Sequence, residues 1–258
     1  MVFEYLSYDL FGLLHTPEVR LTKRHLKSWA HQLLTGVHYL HARGVLHRDL
    51  KTANVLISSG GVLKIADLGL ARRWTPHTQR LTLNVVTLWY RAPELLLGAT
   101  AYGPPLDVWS VGCILLEMYR SSAALRGSDD AEQASLVLSC VGPPAPGAAR
   151  GLCAAWPRLA PLLRLPAHQP GSRPELPEML LAQARSRSWV TEGLTALVKG
   201  LLELDPGGRL SASAALDAGF FFEAGDRLLD ARELDMGFGV ASVHECEVRG
   251  RRQEQVKG

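Results

Sequence analysis

The 258-residue sequence lacks the features that would place the protein in a membrane, outside the cell or on a polyanion. It has no run of 18 apolar residues, so we expect no membrane contact. The four cysteines lie far apart and without metal-ligand spacing, which predicts reduced intracellular thiols rather than a zinc site. Because 28 basic and 25 acidic residues nearly balance, bulk charge does not predict direct binding of nucleic acid.

The sequence does contain enough apolar material for one sizeable core, at 47% hydrophobic and 21% charged residues. Apolar residues at helical spacing predict a long helix over residues 23–43, which Gly44 ends, and a second buried helix over residues 107–119. Between them, two short apolar runs flank a glycine-rich turn, which predicts a β-hairpin over residues 55–65.

The remaining stretches predict a less regular organisation. Residues 1–6 indicate the end of a strand, and residues 121–188, rich in Pro, Gly, Ala and Arg, predict a looped insert with short helices. Helical spacing returns at residues 194–202 and again after Ser211, a predicted N-cap. We expect residues 223–258 to form a polar, solvated extension; a binding or targeting segment is the alternative for its basic end.

Four short blocks between residues 47 and 94 carry the chemistry. They are His47-Arg48-Asp49-Leu50-Lys51 with Asn54, then Asp67-Leu68-Gly69, then Thr87, then Ala92-Pro93-Glu94. Phosphoryl transfer needs metal ligands and a carboxylate that orients the acceptor hydroxyl, which Asn54, Asp67 and Asp49 would supply. A lone Asp-Leu-Gly or His-Arg-Asp is more often a polar turn, but the ordered set matches the catalytic-loop signature of protein kinases.

Further runs make the chain resemble the cyclin-dependent protein kinases, a family of Ser/Thr kinases. The resemblance covers about residues 1–222 and is carried by residues 2–6, 69–72, 85–98 and 107–113. Residues 8–14 and 102–107 are most similar to the transcription-associated members, which phosphorylate the repeated tail of RNA polymerase II. This implies a nuclear location, a cyclin partner, and a protein substrate in which Pro follows the phosphorylated Ser or Thr.

The resemblance also implies the fold class. It is mainly α, an α+β protein-kinase-like fold, of which residues 1–222 would form the hinge and the C-terminal large lobe alone. That lobe is a helical bundle with a small β-hairpin at the catalytic loop.

The same resemblance assigns roles to single positions. Asp49 would be the catalytic base, Lys51 would contact the γ-phosphate of ATP, and Thr87 would hold both through its hydroxyl. Asn54 and Asp67 would bind Mg²⁺. The other ATP-binding positions would be Phe3, Glu4, Leu6, Asp9, Leu56 and Ala66. For Phe3 and Leu56 the alternative is ordinary core packing.

Regulation and substrate choice are assigned in the same way. Thr82 lies where relatives are phosphorylated, and Arg48 and Arg72 would bind that phosphate. Val86 and Arg91 would shape the pocket for the proline.

Three further positions have structural roles by the same resemblance. Glu94 and Arg209 would form a buried ion pair that anchors the substrate-binding segment. Asp107 would accept hydrogen bonds from the catalytic-loop backbone, unless it simply caps its helix. Leu68 stands where phenylalanine is usual, and we expect it to pack against neighbouring helices.

The residues before His47 lack the glycine-rich phosphate loop, the strand lysine and the helix glutamate of a complete kinase. We therefore expect a fragment that is nearly inactive alone. Losing two electrostatic groups at about 2.7–4 kcal/mol each lowers turnover by about 10⁴-fold or more. From a typical kinase rate of about 1–100 per second, this leaves on the order of 10⁻² per second or less.

The alternative is a catalytically inactive large-lobe pseudokinase that acts as a protein-binding module. An exposed apolar surface around Phe3 and Leu56 would then be its partner site, or an aggregation liability.

Overall fold

The computed structural model describes residues 4–75, 87–120, 122–164, 187–225, 227–240 and 242–244. Its strands are β1 (Tyr8–Asp9), β2 (Val45–Leu46), β3 (Val55–Ile57), β4 (Leu63–Ile65) and β5 (Arg72–Arg73). Its helices are α1 (Leu10–His15), α2 (Lys23–Ala42), α3 (Pro93–Leu96), α4 (Pro105–Arg120), α5 (Asp130–Val141), α6 (Pro146–Ala155), α7 (Leu159–Leu163), α8 (Glu192–Leu201) and α9 (Ala212–Leu216). Short 3₁₀ turns lie at Thr52–Asn54, Leu68–Leu70, Leu88–Tyr90, Arg187–Trp189, Gly219–Phe222 and Ala231–Glu233.

Helices α2 and α4 pack against each other at the centre of the molecule. The predicted first helix is confirmed, because α2 begins after the N-cap Thr22 and ends just before Gly44, whose φ of 65° is left-handed. Helix α4 begins two residues earlier than predicted, since a proline such as Pro105 is tolerated in the first turn of a helix. Residues 106–119 are all buried, so α4 is surrounded by protein on every side.

The hairpin predicted over residues 55–65 is confirmed as β3 and β4, which pair antiparallel. Strand β1 adds to the other edge of β3, with Asp9 opposite Leu56. The strand end predicted at residues 1–6 is therefore displaced to Tyr8–Asp9, and residues 1–3 lie outside the described part. This small sheet holds the start of the chain against the catalytic region.

The insert contains more helix than the sequence predicts. Helix α5 is 12 residues long, and α6 begins at Pro146, within the run that we expected to be a loop. A proline at the start of a helix loses no intrahelical hydrogen bond, so the proline-rich composition did not prevent α6. Val137 and Leu138 of α5 are buried in the main core. Residues 165–186 lie outside the described part.

The C-terminal segment, residues 227–240 with 242–244, differs most from expectation. We expected a solvated extension from residue 223, but Leu234, Phe238 and Val243 are buried in the core. The segment also crosses β1, where Val243 bridges Tyr8 in parallel orientation. The buried part extends to Val243, and the basic residues 245–258 lie outside the described part.

The described residues contain no helix that is both long and apolar enough to cross a bilayer. Cys113, Cys140 and Cys153 are free thiols, and Cys246 lies outside the described part. Burial raises the pKa of the Cys113 thiol far above its usual range, which makes it unreactive.

Candidate active site

The carboxylate of Asp49 lies at the centre of a small hydrogen-bonded cluster. Its Oδ1 accepts from the backbone N–H of Thr87 at 3.1 Å and from the Thr87 hydroxyl at 3.0 Å. Its Oδ2 lies 3.1 Å from Nζ of Lys51, and that Nζ lies 3.4 Å from the same hydroxyl. The structure thus brings together the three residues to which the sequence assigned catalysis and fixes the orientation of the carboxylate.

Helix α4 holds the backbone next to Asp49 in place through hydrogen bonds. The carboxylate of Asp107 accepts the backbone N–H of His47 and of Arg48, both at 2.9 Å. The predicted contact is therefore observed, and the capping alternative is wrong because Asp107 lies inside α4 rather than before it. Arg48 has a φ of 66°, a backbone conformation that is energetically costly for a residue with a side chain. The bonds to Asp107 hold the backbone of Arg48 in this conformation.

His47 connects the catalytic loop to the Asp67 motif, a role that the sequence did not predict. Its Nε2 donates to the carbonyl of Ala66 at 2.9 Å, while its Nδ1 accepts the N–H of Asp49 at 3.2 Å. Both ring nitrogens are therefore used by the neutral imidazole, and His47 fixes the distance between Asp49 and the residue before Asp67.

Asn54 and Asp67 present oxygen atoms suited to Mg²⁺. The amide nitrogen of Asn54 donates to the carbonyl oxygen of Asp49 at 2.8 Å, which leaves its amide oxygen for a metal. Asp67 is exposed, with a φ of 61°. The described residues hold no cluster of three or more His, Cys, Asp or Glu side chains. Two oxygen ligands without a full protein cage fit an ion that keeps waters and binds substrate phosphates.

The residues assigned to adenine and ribose lie along β1 and the hairpin. Leu6 is buried, Leu56 and Ala66 are half-buried, and the exposed Glu4 forms an ion pair with Lys64. Phe3 lies outside the described part.

Asp9, assigned to the ribose, is buried in structural contacts. Its Oδ1 accepts the N–H of Gly12 at 2.6 Å as the N-cap of α1, and its Oδ2 lies 3.5 Å from Nδ1 of His244. This histidine belongs to the C-terminal segment, and no motif in the sequence predicted its contact with the hinge.

The positions assigned to regulation and proline selection are described only in part, because Thr82 and Val86 lie outside the described part. Arg48 donates to the carbonyl of Leu70 at 2.7 Å. Arg72 of β5 pairs with Leu46 of β2, and Leu46 lies two residues before Arg48 in the chain. The guanidinium of Arg91 donates to Asp130 of α5 at 2.6 Å.

The predicted ion pair between Glu94 and Arg209 is present and deeply buried. Two parallel bonds of 2.9 Å join the guanidinium to the carboxylate. Arg209 also donates to the carbonyl of Pro105, so α3, α4 and the turn after α8 meet at one side chain.

A second buried polar group ties the catalytic loop to the segment that follows Thr87. Glu117 of α4 accepts the Tyr90 hydroxyl at 2.6 Å and the Thr52 hydroxyl at 3.3 Å. Burial, and next the charge of Glu117, raise the pKa of Tyr90 well above its usual range, so Tyr90 remains a donor. The signal for it in the sequence is a lone glutamate within an apolar helix.

Leu68 does not lie where the sequence predicted. It was expected to pack against neighbouring helices, but 55% of it is exposed at the rim of a shallow groove that includes Tyr39 and Ile65. Tyr39 and Leu68 are exposed at this groove, whereas Leu56 is half-buried; Phe3 lies outside the described part.

Comparison with known proteins decides the family. Residues 1–221 match the protein kinase domain. The chain belongs to the protein kinase family. This assignment confirms the kinase-like fold class, in which the helical part and a small sheet surround the catalytic loop.

Among its relatives are cyclin-dependent kinases, the family that the sequence motifs resemble. It is 41% identical to cyclin-dependent kinase C-1 of Arabidopsis thaliana over 98% of this chain and 47% of that protein. It is 42% identical to cyclin-dependent kinase C-2 of Oryza sativa subsp. japonica over 86% of this chain and 41% of that protein. The chain spans about half the length, or less, of these curated relatives.

A solved structure extends the comparison. A chain of the yeast RNA Pol II CTD kinase CTDK-1 complex matches with a TM-score of 0.76 and 34% identity, covering 88% of this chain and 72% of that one.

Proposed function

We propose that this chain forms the catalytic part of an ATP-dependent, proline-directed Ser/Thr protein kinase of the cyclin-dependent type. The observation that carries the proposal is the cluster of Asp49, Lys51 and Thr87, in which bonds of 3.0–3.4 Å orient one carboxylate. A pure binding module has no physical need for this set beside Asn54 and Asp67.

In this proposal each residue has a separate task. Asp49 orients the acceptor hydroxyl and accepts its proton as the hydroxyl oxygen bonds to the γ-phosphorus of ATP and the bond to the leaving oxygen breaks. Lys51 places a positive charge beside the transferred group, and Thr87 keeps the two side chains aligned. Asn54 and Asp67 hold Mg²⁺, which supplies charge neutralisation when bound. Positioned proton transfer of this kind contributes about 10²- to 10⁴-fold to the rate.

ATP would lie against the hinge and hairpin. Leu56 and Ala66 supply an apolar floor, and the backbone of Glu4 and Leu6 supplies hydrogen bonds to the base, with Phe3 behind it. The buried bonds of Asp9 support a role in which its carboxylate shapes the turn into α1 beside the ribose.

The protein substrate is proposed to carry Pro after the phosphorylated Ser or Thr, in a pocket shaped by Val86 and Arg91. The repeated tail of RNA polymerase II is the proposed substrate and the nucleus the proposed location; similarity to a chain of the yeast RNA Pol II CTD kinase complex supports both. A cyclin is the proposed partner, supported by the similarity to cyclin-dependent kinases. Phosphorylation of Thr82, gripped by Arg48 and Arg72, is the proposed activating modification.

The second candidate is a binding module without catalysis, favoured by the exposed apolar groove that includes Tyr39 and Leu68. Transfer of phosphate distinguishes the two functions.

The test is transfer from γ-labelled ATP to two peptides that differ only in Ser-Pro against Ser-Ala. We expect Mg²⁺-dependent labelling of the Ser-Pro peptide, at about 10⁻² per second or less for this chain alone. Equal labelling of both peptides would contradict the proline preference. Absence of labelling in a sufficiently sensitive assay would favour the binding module.

A further inference from the structure

The sequence contains two dipeptides in which proline follows Ser or Thr, namely Thr16-Pro17 and Thr75-Pro76. Each is the minimal acceptor motif of a proline-directed kinase, the class of enzyme proposed above for this chain. The structure describes both threonines and places them in different surroundings. The two dipeptides therefore allow a comparison, within one chain, between a threonine that a kinase can reach and one that it cannot.

Thr16 is inaccessible to an enzyme. It follows α1 as its C-cap and is 5% exposed, and its hydroxyl oxygen is buried. Its carbonyl accepts the N–H of Val19 at 3.1 Å, so the backbone is closed into a turn at this point. In-line attack of the Thr16 oxygen on a phosphorus atom would require this turn to open.

Thr75 is exposed and follows a residue that is fixed in the fold. The N–H of Trp74 donates to the carbonyl of Gly44 at 2.7 Å, directly beyond the pairing of β2 with β5. The indole of Trp74 packs so closely on Gly103 that a Cβ added to this glycine would lie 3.0 Å from the ring. Thr75 is thus presented to solvent from an anchored position, with Pro76 next in the sequence.

Two exposed arginines flank the same point. Arg73 belongs to β5, and Arg43 lies between the end of α2 and Gly44. Neither arginine forms an ion pair with a carboxylate of the described residues. The guanidinium of Arg43 stacks on the ring of Tyr39, with its central carbon 3.5 Å from the ring centroid. Stacking leaves the N–H edge of a guanidinium available to an anion.

A phosphate on Thr75 would meet both of these positive charges. It carries about 1.5 to 2 negative charges and three strong acceptor oxygens, and its bonds to a guanidinium are charge-assisted and often bidentate. Arg43 and Thr75 each lie one residue from the hydrogen bond between Gly44 and Trp74, and Arg73 lies two residues before Thr75. Because consecutive Cα atoms are about 3.8 Å apart, both arginine side chains can reach a phosphate at this position.

We propose that Thr75 is a phosphorylation site for a proline-directed Ser/Thr kinase, and that Arg43 and Arg73 bind the phosphate. In the transfer, the Thr75 oxygen bonds to the γ-phosphorus of ATP and the bond from that phosphorus to the bridging oxygen breaks. ADP leaves, and the hydroxyl proton passes to the catalytic carboxylate of the kinase. The site is separate from Thr82 and uses different arginines.

The kinase is either a second copy of this chain or another enzyme of the same specificity. The first source rests on the proposed function, whereas the second does not, and the experiment distinguishes them.

Phosphorylation of the full chain tests the site. The chain is incubated with ATP and Mg²⁺, alone and with an active cyclin-dependent kinase bound to its cyclin, and both dipeptides are analysed by mass spectrometry. We expect the added kinase to phosphorylate Thr75 and not Thr16 in the chain, but to phosphorylate both threonines in synthetic peptides of residues 10–22 and 69–81. Modification of the 69–81 peptide without modification of Thr75 in the chain would overturn the site, as would equal modification of Thr16 and Thr75 in the folded chain.

The same experiment separates the site from the proposed function. Phosphorylation of Thr75 by the chain alone, lost in Asp49→Asn, would support both. Phosphorylation by the added kinase only would support the site, and transfer to the Ser-Pro peptide then decides the proposed function. A chain that phosphorylates the Ser-Pro peptide but whose Thr75 stays unmodified under both conditions would overturn the site and leave the proposed function standing.

The contact of the phosphate with the two arginines is tested on a chain that carries phosphothreonine at position 75, incorporated during translation. ³¹P NMR follows the second pKa of the phosphate, which is about 6 when unperturbed. The positive charges of Arg43 and Arg73 should lower this pKa, so we expect an acid dissociation constant about 10-fold larger than in the phosphorylated 69–81 peptide. Arg43→Gln and Arg73→Gln should each reverse part of the change, whereas Arg20→Gln, at an exposed arginine before α2, should not. A phosphate that titrates as in the peptide in every variant would overturn the contact.

Discussion

The catalytic loop and the C-terminal segment lie on the same helical core but are held there by different forces. The loop is positioned by directional polar bonds, such as those from His47 and Arg48 to Asp107. The C-terminal segment makes hydrogen bonds too, but it also adds buried apolar side chains to the core, among them Phe238 and Val243. Directional bonds require particular residue types at fixed spacing, whereas apolar packing accepts many residues at many spacings. The first kind of attachment therefore leaves a motif of fixed residue types in the sequence, and the second leaves only an apolar pattern.

Removing residues 227–258 should have the largest effect on stability, because it removes the whole C-terminal segment. Burying Leu234, Phe238 and Val243 stabilises the fold by about 1.5–3 kcal/mol each, so we expect a loss of about 5 kcal/mol or more in the free energy of unfolding. Urea denaturation measures this loss. A chain that ends at His244 is the reference; a midpoint of the shorter chain equal to that of this reference would mean that the segment is not attached to the core.

Breaking the ion pair on the polar side should cost nearly as much. Arg209→Met leaves the carboxylate of Glu94 buried without its partner, which we expect to lower the free energy of unfolding by about 3–5 kcal/mol. The double variant Glu94→Leu with Arg209→Met should recover most of the loss in the same urea titration. Wild-type stability of the single variant would show that the pair does not hold α3 to the core.

A smaller change tests the anchor of the catalytic loop. Asp107→Asn replaces one acceptor oxygen by an NH₂ group that cannot accept the N–H of His47 or Arg48. We expect a loss of about 1–3 kcal/mol in unfolding free energy, the cost of leaving one buried donor unpaired. Asp217→Asn, at an exposed position that ends α9, is the matched control. If both variants unfold at the same urea concentration, the bonds from Asp107 do not position the loop.

The smallest effect is a pH dependence where the C-terminal segment contacts α2. His25 of α2 donates from Nε2 to the carbonyl of Asp235, and its Nδ1 accepts the N–H of Thr22. Burial lowers the pKa of His25 below its ordinary 6.5, so the unfolded chain binds the proton more readily. The contribution of His25 to stability is therefore present above pH 6.5 and is lost as the pH falls towards the folded pKa, by at most about 1.4 kcal/mol per pH unit.

Urea midpoints between pH 7.5 and pH 5 measure this effect. His25→Gln should flatten the profile and His38→Gln, at an exposed position, should not. Burial also lowers the pKa of His31 in the same direction, so the flattening should be partial. A profile that His25→Gln leaves unchanged would rule out a contribution from this histidine.

Particular residues show which features of the structure could be predicted from the sequence. The hairpin, α2 and α4 were predicted because turn glycines and helical spacing constrain the residue type, whereas the Glu94–Arg209 pair was implied by the resemblance to the cyclin-dependent kinases. The burial of Leu234, Phe238 and Val243 was not predicted. The apolar residues at positions 234, 236, 238 and 240 alternate with other residues, a signal that the expectation of a solvated extension did not use. The contact between His244 and Asp9 joins residues 235 positions apart, which only the fold brings together. Likewise, Leu68 was predicted to be packed because it stands where phenylalanine, a side chain of similar volume, is usual. Its exposure depends instead on what covers the adjacent face of α2.

The most direct measurement of the central claim is phosphate transfer to a Ser-Pro peptide by the wild-type chain, Asp49→Asn and Asp217→Asn, with product counted by mass spectrometry. Asp49→Asn keeps the shape of the side chain but removes the base, so we expect its rate to fall by about 10²- to 10⁴-fold while Asp217→Asn keeps the wild-type rate. Equal rates for wild type and Asp49→Asn, with both proteins folded, would contradict the assignment of this cluster as a phosphoryl-transfer site.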